Sequence, residues 1–172
     1  MTYRVDSDIP RPYGWFTEKN SPQLYPPFDI KWTQPKLLTE VQKKETYSPK
    51  KEAPSLDGVK LQHTPQREDY VELLKKHVPV NVFGACGNLP CARVDNHNSE
   101  ECDQMLENDY KFYLSFENSF CSGYVTEKFY KPMSLDIVPV VMGGADYKKK
   151  APHKSFIDVL DLKSPRKLAE IY

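Results

Sequence analysis

The 172-residue sequence contains no apolar run approaching the ~20 residues that a membrane-spanning helix needs. It has no excess of charge of either sign, with 24 Lys+Arg against 24 Asp+Glu. That balance argues against a general nucleic-acid or membrane-surface binder, which would carry a clustered basic excess. The opening residues Met1-Thr2-Tyr3-Arg4-Val5-Asp6 are charged at once and form no signal-peptide core. If the chain works in a secretory compartment, its targeting segment is expected outside this sequence. There is no G-x-G-x-x-G, no Walker loop, no H-E-x-x-H, and no serine or cysteine in a nucleophile elbow. Dehydrogenases, P-loop NTPases, zincins and α/β-hydrolases are therefore disfavoured. Four cysteines are few for a disulfide scaffold of this length. Cys86, Cys91 and Cys102 cluster, and with His97 they would offer a zinc set. The short C-x-x-C pairing of structural zinc folds is missing, so free or disulfide-linked cysteines are the favoured reading.

What is present falls into two unlike parts. Nine of the 15 prolines lie within the first 65 residues, and the stretch from Asn20 to Asp57 shows no long apolar period. Such a composition buries too little surface to offset the entropy of ordering. Residues 17–58 read as a linker or poorly ordered insertion, with a short helix near 35–44. Beyond it the punctuation is that of an α/β domain. Thr64-Pro65 starts a helix that runs to about His77, with Tyr70, Val71, Leu73 and Leu74 on one face. Strands are predicted at 80–83, 112–116, 137–142 and 156–159. Helices are predicted at 100–107, at 125–135 and after Ser164-Pro165. Pro132 inside the second of these marks a kink or an earlier end. The alternation implies a mostly parallel sheet with helices on both faces. In such sheets ligands bind outside the carboxyl ends of strands, which favours 117–128 and 143–147 in advance.

The segment from Tyr110 to Tyr130, YKFYLSFENSFCSGYVTEKFY, places Glu117, Asn118, Ser119, Tyr124, Thr126, Glu127 and Lys128 between a strand end and a helix start. Two readings stand. In one, Thr126 caps the helix and Glu127 suits its dipole. In the other, the helix start and Lys128 receive a phosphate while Glu127 accepts from sugar hydroxyls. Arg67 lies in the first turn of the 65–77 helix, where a cation opposes the dipole. It is either a solvated surface residue or half of a diphosphate clamp, for which its planar fork is well shaped. Tyr113 and Tyr124 either stack on a base or pack in the core, the core suiting Tyr113 better. The four histidines share no spacing pattern.

These residues carry a resemblance. YKFYLSFENSFCSGYVTEK at 110–128, followed by IVPVVMGGADY and SFIDVLDLKSPRKLAE, closely resembles the α-1,3-fucosyltransferase family, and most of all its invertebrate members. MTYRVDSDIPRPYG and TPQREDYVELLKKHVPVNVFGACG are similar to the same family. The resemblance covers residues 1–16 and 60–172. It implies a Rossmann-like nucleotide-sugar-binding half of a GT-B glycosyltransferase, incomplete in this chain. Residues 1–16 would be the end of an acceptor domain, and 59–172 a partial GDP-fucose-binding domain. It also implies inverting transfer of fucose from GDP-fucose to N-acetylglucosamine of a glycan or glycoprotein acceptor in the Golgi lumen. No cofactor would be required and Mn²⁺ would at most stimulate. The membrane anchor and the catalytic base, a glutamate of the acceptor domain, would lie outside this sequence, so no catalytic residue is assigned. Carried over by position, Arg67 and Lys128 would face the diphosphate. Tyr113, Asn118, Tyr124 and Glu127 would contact nucleoside or fucose. Where the family has an apolar strand ending in a V-S-N-C-like motif, this chain has Val59-Lys60-Leu61-Gln62-His63, which predicts that the first strand of the nucleotide domain is lost. A partial, catalytically inactive nucleotide-sugar-binding module is the alternative.

Overall fold

The computed structural model describes residues 12–17, 55–58, 65–84, 87, 89–94 and 97–171. Its backbone is a five-stranded parallel sheet in the order β2-β1-β5-β6-β7. The strands are β1 (Ser55–Gly58), β2 (Asn81–Gly84), β5 (Phe112–Phe116), β6 (Val138–Met142) and β7 (Ile157–Asp158). A separate antiparallel ribbon pairs β3 (Arg93–Val94) with β4 (His97–Asn98). The helices are α1 (Pro65–Leu74), α2 (Glu100–Asp109), α3 (Glu127–Tyr130), α4 (Val159–Leu162) and α5 (Pro165–Ala169).

Alternation along the two most apolar strands divides the core. Leu114, Phe116, Val140 and Met142 face α1 and α5, where Val71, Leu74, Val78 and Leu168 meet them. Tyr113 points the other way, into a cluster with Phe83, Cys102, Leu106, Tyr110 and Ile137. Val141 shares that second face with Val125, Phe129, Tyr147 and Ala151. Pro139 sits inside β6, where a missing N–H would normally break a ladder. Val138 donates to Lys111 on the β5 side, so the Pro139 nitrogen faces β7, which pairs only from Val140 onward.

Four expectations are corrected. The first strand of the sheet is present. It is β1, and it lies within the segment read as linker rather than at Val59–His63. Its sequence, Ser-Leu-Asp-Gly, has no apolar run to announce it. It is placed by backbone pairing on both sides, Ser55 with Asn81 of β2 and with Tyr113 of β5. Second, the helix expected over 125–135 stops at Tyr130, and a 3₁₀ turn at Pro132–Ser134 replaces its second half. Proline removes the N–H that would continue the helix. Third, the strand at 156–159 is only Ile157–Asp158, because the Asp158 carboxylate accepts from the Leu160 N–H at 2.9 Å and starts α4. Fourth, α1 ends at Leu74, and Leu73 is exposed rather than on the apolar face. The buried stripe is Arg67, Val71, Leu74 and Val78, spaced as one helical face. The helix near 35–44 lies outside the described residues, as does Thr64.

Candidate functional site

β1 and β5 are neighbours in the sheet, yet the chain leaves them in opposite directions, toward β2 on one side and toward β6 and β7 on the other. This is a topological switch point, where the loops diverge and leave a crevice beyond the carboxyl ends of the strands. The polar residues singled out in the sequence gather beside it.

Arg67 bridges the two sides. It stands in the first turn of α1, only 3% exposed, and its Nη1 donates to the Phe116 carbonyl at 3.2 Å and to Asn118 Oδ1 at 2.7 Å. A solvated surface arginine is thereby excluded. Asn118 follows the end of β5 by two residues and is the partner that orients the guanidinium.

The 117–126 loop then folds back on the strand end. Glu117 is 1% exposed, its backbone N–H donates to the Met142 carbonyl, and its carboxylate meets Thr126 twice. Oε1 accepts from the Thr126 N–H at 2.7 Å and Oε2 from the Thr126 hydroxyl at 2.8 Å. Burial pushes the Glu117 carboxyl above its usual range, while the two Thr126 bonds and the Lys128 charge pull the other way. Thr126 in turn caps α3, its Oγ1 accepting from the Lys128 N–H at 3.4 Å. Glu127 lies in the first turn as expected, and Glu117 is a second carboxylate at this helix start, taking the N–H of the N-cap residue itself.

Lys128 is 8% exposed, and its Nζ lies 3.7 Å from Glu127 Oε1. The Glu127 side chain is more than half exposed. Tyr124 lies edge-on to Tyr13, ring centroids 6.3 Å apart. Burial, with Tyr13 and the Glu117 and Glu127 carboxylates adding to it, pushes its phenol up to about 12. Tyr13 belongs to a segment that packs on α3: Phe16 meets Phe129 and Tyr130, and a Cβ on Gly14 would strike the Tyr130 ring at 2.7 Å.

The turn after β6 closes the floor. A Cβ at Gly143 would lie 2.5 Å from the Tyr147 hydroxyl and 3.1 Å from Glu117 Cγ, and one at Gly144 2.5 Å from the Phe120 carbonyl oxygen. Only glycine permits so close an approach.

The structure thus gathers Arg67, Asn118, Tyr124, Glu127 and Lys128 around the end of β5. It does not bring Tyr113 to them. That ring is a core residue four positions before Glu117, about 13 Å back along the strand. Tyr13 was missed, and Glu117, singled out with the polar group, was given no role of its own. A lone Glu at a strand end carries no sequence signal for its partner nine residues on, and Tyr13 lies over a hundred residues from Tyr124. Of the two readings of the cysteines, the favoured one holds: Cys91 and Cys102 form a disulfide, their Cα atoms 5.4 Å apart. Cys86 lies outside the described residues, and Cys121 is an exposed thiol. A cleft of about 250 Å³ lined by Lys148, His153, Phe156 and Asp158 shares none of the gathered residues, and a Lys148–Asp161 ion pair of 2.9 Å sits at its edge.

Comparison with known proteins places this arrangement. Residues 49–172 match the model of the C-terminal part of glycosyltransferase family 10 (fucosyltransferase). Alpha-(1,3)-fucosyltransferase C of Drosophila melanogaster is 35% identical over 99% of this chain and 40% of its own length. Glycoprotein 3-alpha-L-fucosyltransferase A of the same species is 44% identical over 60% of this chain and 21% of its own. A crystal structure of an alpha1,3-fucosyltransferase with GDP-fucose superposes with a TM-score of 0.56 at 25% identity, over 72% of this chain and 34% of that one. The chain thus spans at most about 40% of the length of these relatives.

Proposed function

The chain belongs to glycosyltransferase family 10, the fucosyltransferases, and from that premise we propose that it is the donor-binding half of an inverting α-1,3-fucosyltransferase. The donor is GDP-fucose and the acceptor an N-acetylglucosamine unit of a glycan or glycoprotein. The observation that carries this reading is the pair of buried cations at the end of β5. Arg67 is held to Asn118, and Lys128 stands by the Glu117 and Glu127 carboxylates. A diphosphate spreads its charge over several oxygens, and two fixed cations beside one crevice suit it.

In the proposed site Arg67 and Lys128 face the diphosphate. Tyr124, Asn118 and Glu127 line the nucleoside or fucose, with the exposed Glu127 carboxylate accepting from hydroxyls. Tyr113 packs in the core beside the strand. Transfer breaks the bond between fucose C1 and the phosphate oxygen, and the electron pair leaves with GDP. The acceptor hydroxyl attacks C1 from the opposite face, and its proton passes to a base. Fixed cations at the diphosphate lower the cost of the leaving charge, and attack opposite the leaving group inverts the anomeric centre. Glu117 is buried against Thr126 and out of reach of an acceptor hydroxyl. The family resemblance puts the base in an acceptor domain, and holds the enzyme in the Golgi by a membrane anchor. No helix among the described residues is long and apolar enough to cross a membrane.

Titration calorimetry of GDP-fucose and GDP into residues 1–172 tests the reading. Saturable binding that is abolished by Lys128→Ala and strongly weakened by Arg67→Ala is expected. Binding unchanged in both variants would place the nucleotide elsewhere. A parallel assay for fucose transfer separates the full enzyme from the alternative, a binding module without catalysis. Because no base is assignable here, binding without transfer is the expected result for this chain alone.

A further inference from the structure

We propose that Glu117 is a positioning residue for the donor site: its two carboxylate oxygens hold the N–H and hydroxyl of Thr126, and so fix where Glu127 and Lys128 stand. The inference rests on the donor-site reading above and assigns a function to a carboxylate that this reading leaves without contact to the ligand.

Three observations carry it. First, α3 has only four residues, Glu127–Tyr130. A helix that short does not hold itself in water, because nucleation fixes several residues for one hydrogen bond. Its direction must be imposed from outside. Second, Glu117 is 1% exposed and spends both oxygens, at 2.7 and 2.8 Å, on a single residue, the N-cap of that helix. A carboxylate carries about four acceptor sites, and two charge-assisted bonds to one residue fix both the backbone and the χ1 rotamer of Thr126. Third, Glu117 is itself clamped. Its N–H is bonded to the Met142 carbonyl at the end of β6, and its Cγ lies where a side chain at position 143 would have to go. The rigid sheet thus passes through Glu117 and Thr126 to the residues that would meet the donor.

A pH signature follows. The charged and titratable groups that bear on this carboxylate are Lys128 and Glu127 of α3 and the phenols of Tyr124, Tyr130 and Tyr147. Burial has moved the Glu117 carboxyl upward, and it has moved the phenols upward as well, further from mild acid. Protonation puts an O–H against the two donors of Thr126 and releases one of them.

The test compares wild type, Glu117→Gln and Thr126→Val in the full chain by GDP titration between mildly acidic and neutral pH. Exchange of the Thr126 amide is followed by NMR. Glu117→Gln is expected to weaken GDP binding about tenfold at neutral pH, the loss of one charge-assisted bond, and to speed Thr126 exchange. Thr126→Val, which keeps the N–H and loses the hydroxyl, should fall between the two. Wild-type affinity should drop on acidification more steeply than that of Glu117→Gln. The terminal phosphate of GDP titrates equally against both proteins, so the difference between the profiles reports Glu117. GDP binding that survives Glu117→Gln with the same pH slope overturns the positioning role alone. Failure of the wild-type chain to bind GDP overturns the donor reading and the positioning role together.

Discussion

A guanidinium in the first turn of a helix works against the helix dipole, and Arg67 does so while almost wholly buried. The local cost is met by tertiary partners that no window around residue 67 contains: the Phe116 carbonyl and the Asn118 amide. The same contrast separates the tyrosines. Tyr113 and Tyr124 look alike in sequence, yet one is core and the other lines the crevice. Burial pushes the phenols of Tyr70, Tyr124 and Tyr130 to about 12, against an ordinary 10.0. The folded protein therefore holds these protons longer than the unfolded chain does. The stability they contribute is fully present below pH 10 and is lost as pH rises through 12. An ultraviolet titration should show these three tyrosines still neutral at pH 11, with denaturant midpoints falling from pH 10 upward. Full ionisation of all tyrosines near pH 10 without loss of structure would contradict this.

At the scale of elements, α3 is the informative case. Period and composition suggested eleven residues of helix, and four formed. The short helix survives because Phe129, fully buried, is wedged among Phe16, Tyr130, Tyr147 and Phe156, with ring centroids 5.2–6.5 Å apart. Phe129→Ala should destabilise the chain by about 3–5 kcal/mol, the usual loss for a buried aromatic, measured by urea denaturation. A change below about 1 kcal/mol would mean the cluster is not load-sharing in this way. α2 is stabilised differently. Ser99 caps it, its Oγ accepting from the Cys102 N–H at 3.3 Å, and Cys102 ties it by a disulfide to Cys91. The sequence placed its start at 100 but ended it at 107, two residues short of Asp109.

For the molecule as a whole, the site is made where the sheet changes direction, by pieces far apart in sequence. Arg67 comes from α1, the 117–126 loop from beyond β5, the glycine turn from beyond β6 and Tyr13 from near the first residues. Gly144 shows how tightly they are fitted. Its absent side chain leaves room for the Phe120 and Cys121 carbonyls at 2.5 and 2.8 Å. Gly144→Ala must displace the 117–121 loop and should weaken GDP binding, read by the same titration. Wild-type affinity in a folded Gly144→Ala variant would show that the turn does not set the loop.

The sequence by itself determined the class of fold, the apolar strands at 112–116 and 137–142, a helix beginning at 100, and the polar stretch of 117–128 as the place to look. Those features depend on neighbours within a few residues, where periodicity, caps and proline act. It also carried a motif similar enough to fucosyltransferases to name the family. Tertiary structure alone decided that Ser55–Gly58 is a strand, since its four residues carry no readable sequence pattern and are fixed by pairing on both sides. It alone decided that Glu117 and not a ligand holds the N–H of Thr126, and that Arg67 reaches Asn118. Each of these depends on a partner brought near by the sheet, and the energy of such a contact appears only once the chain has closed the distance.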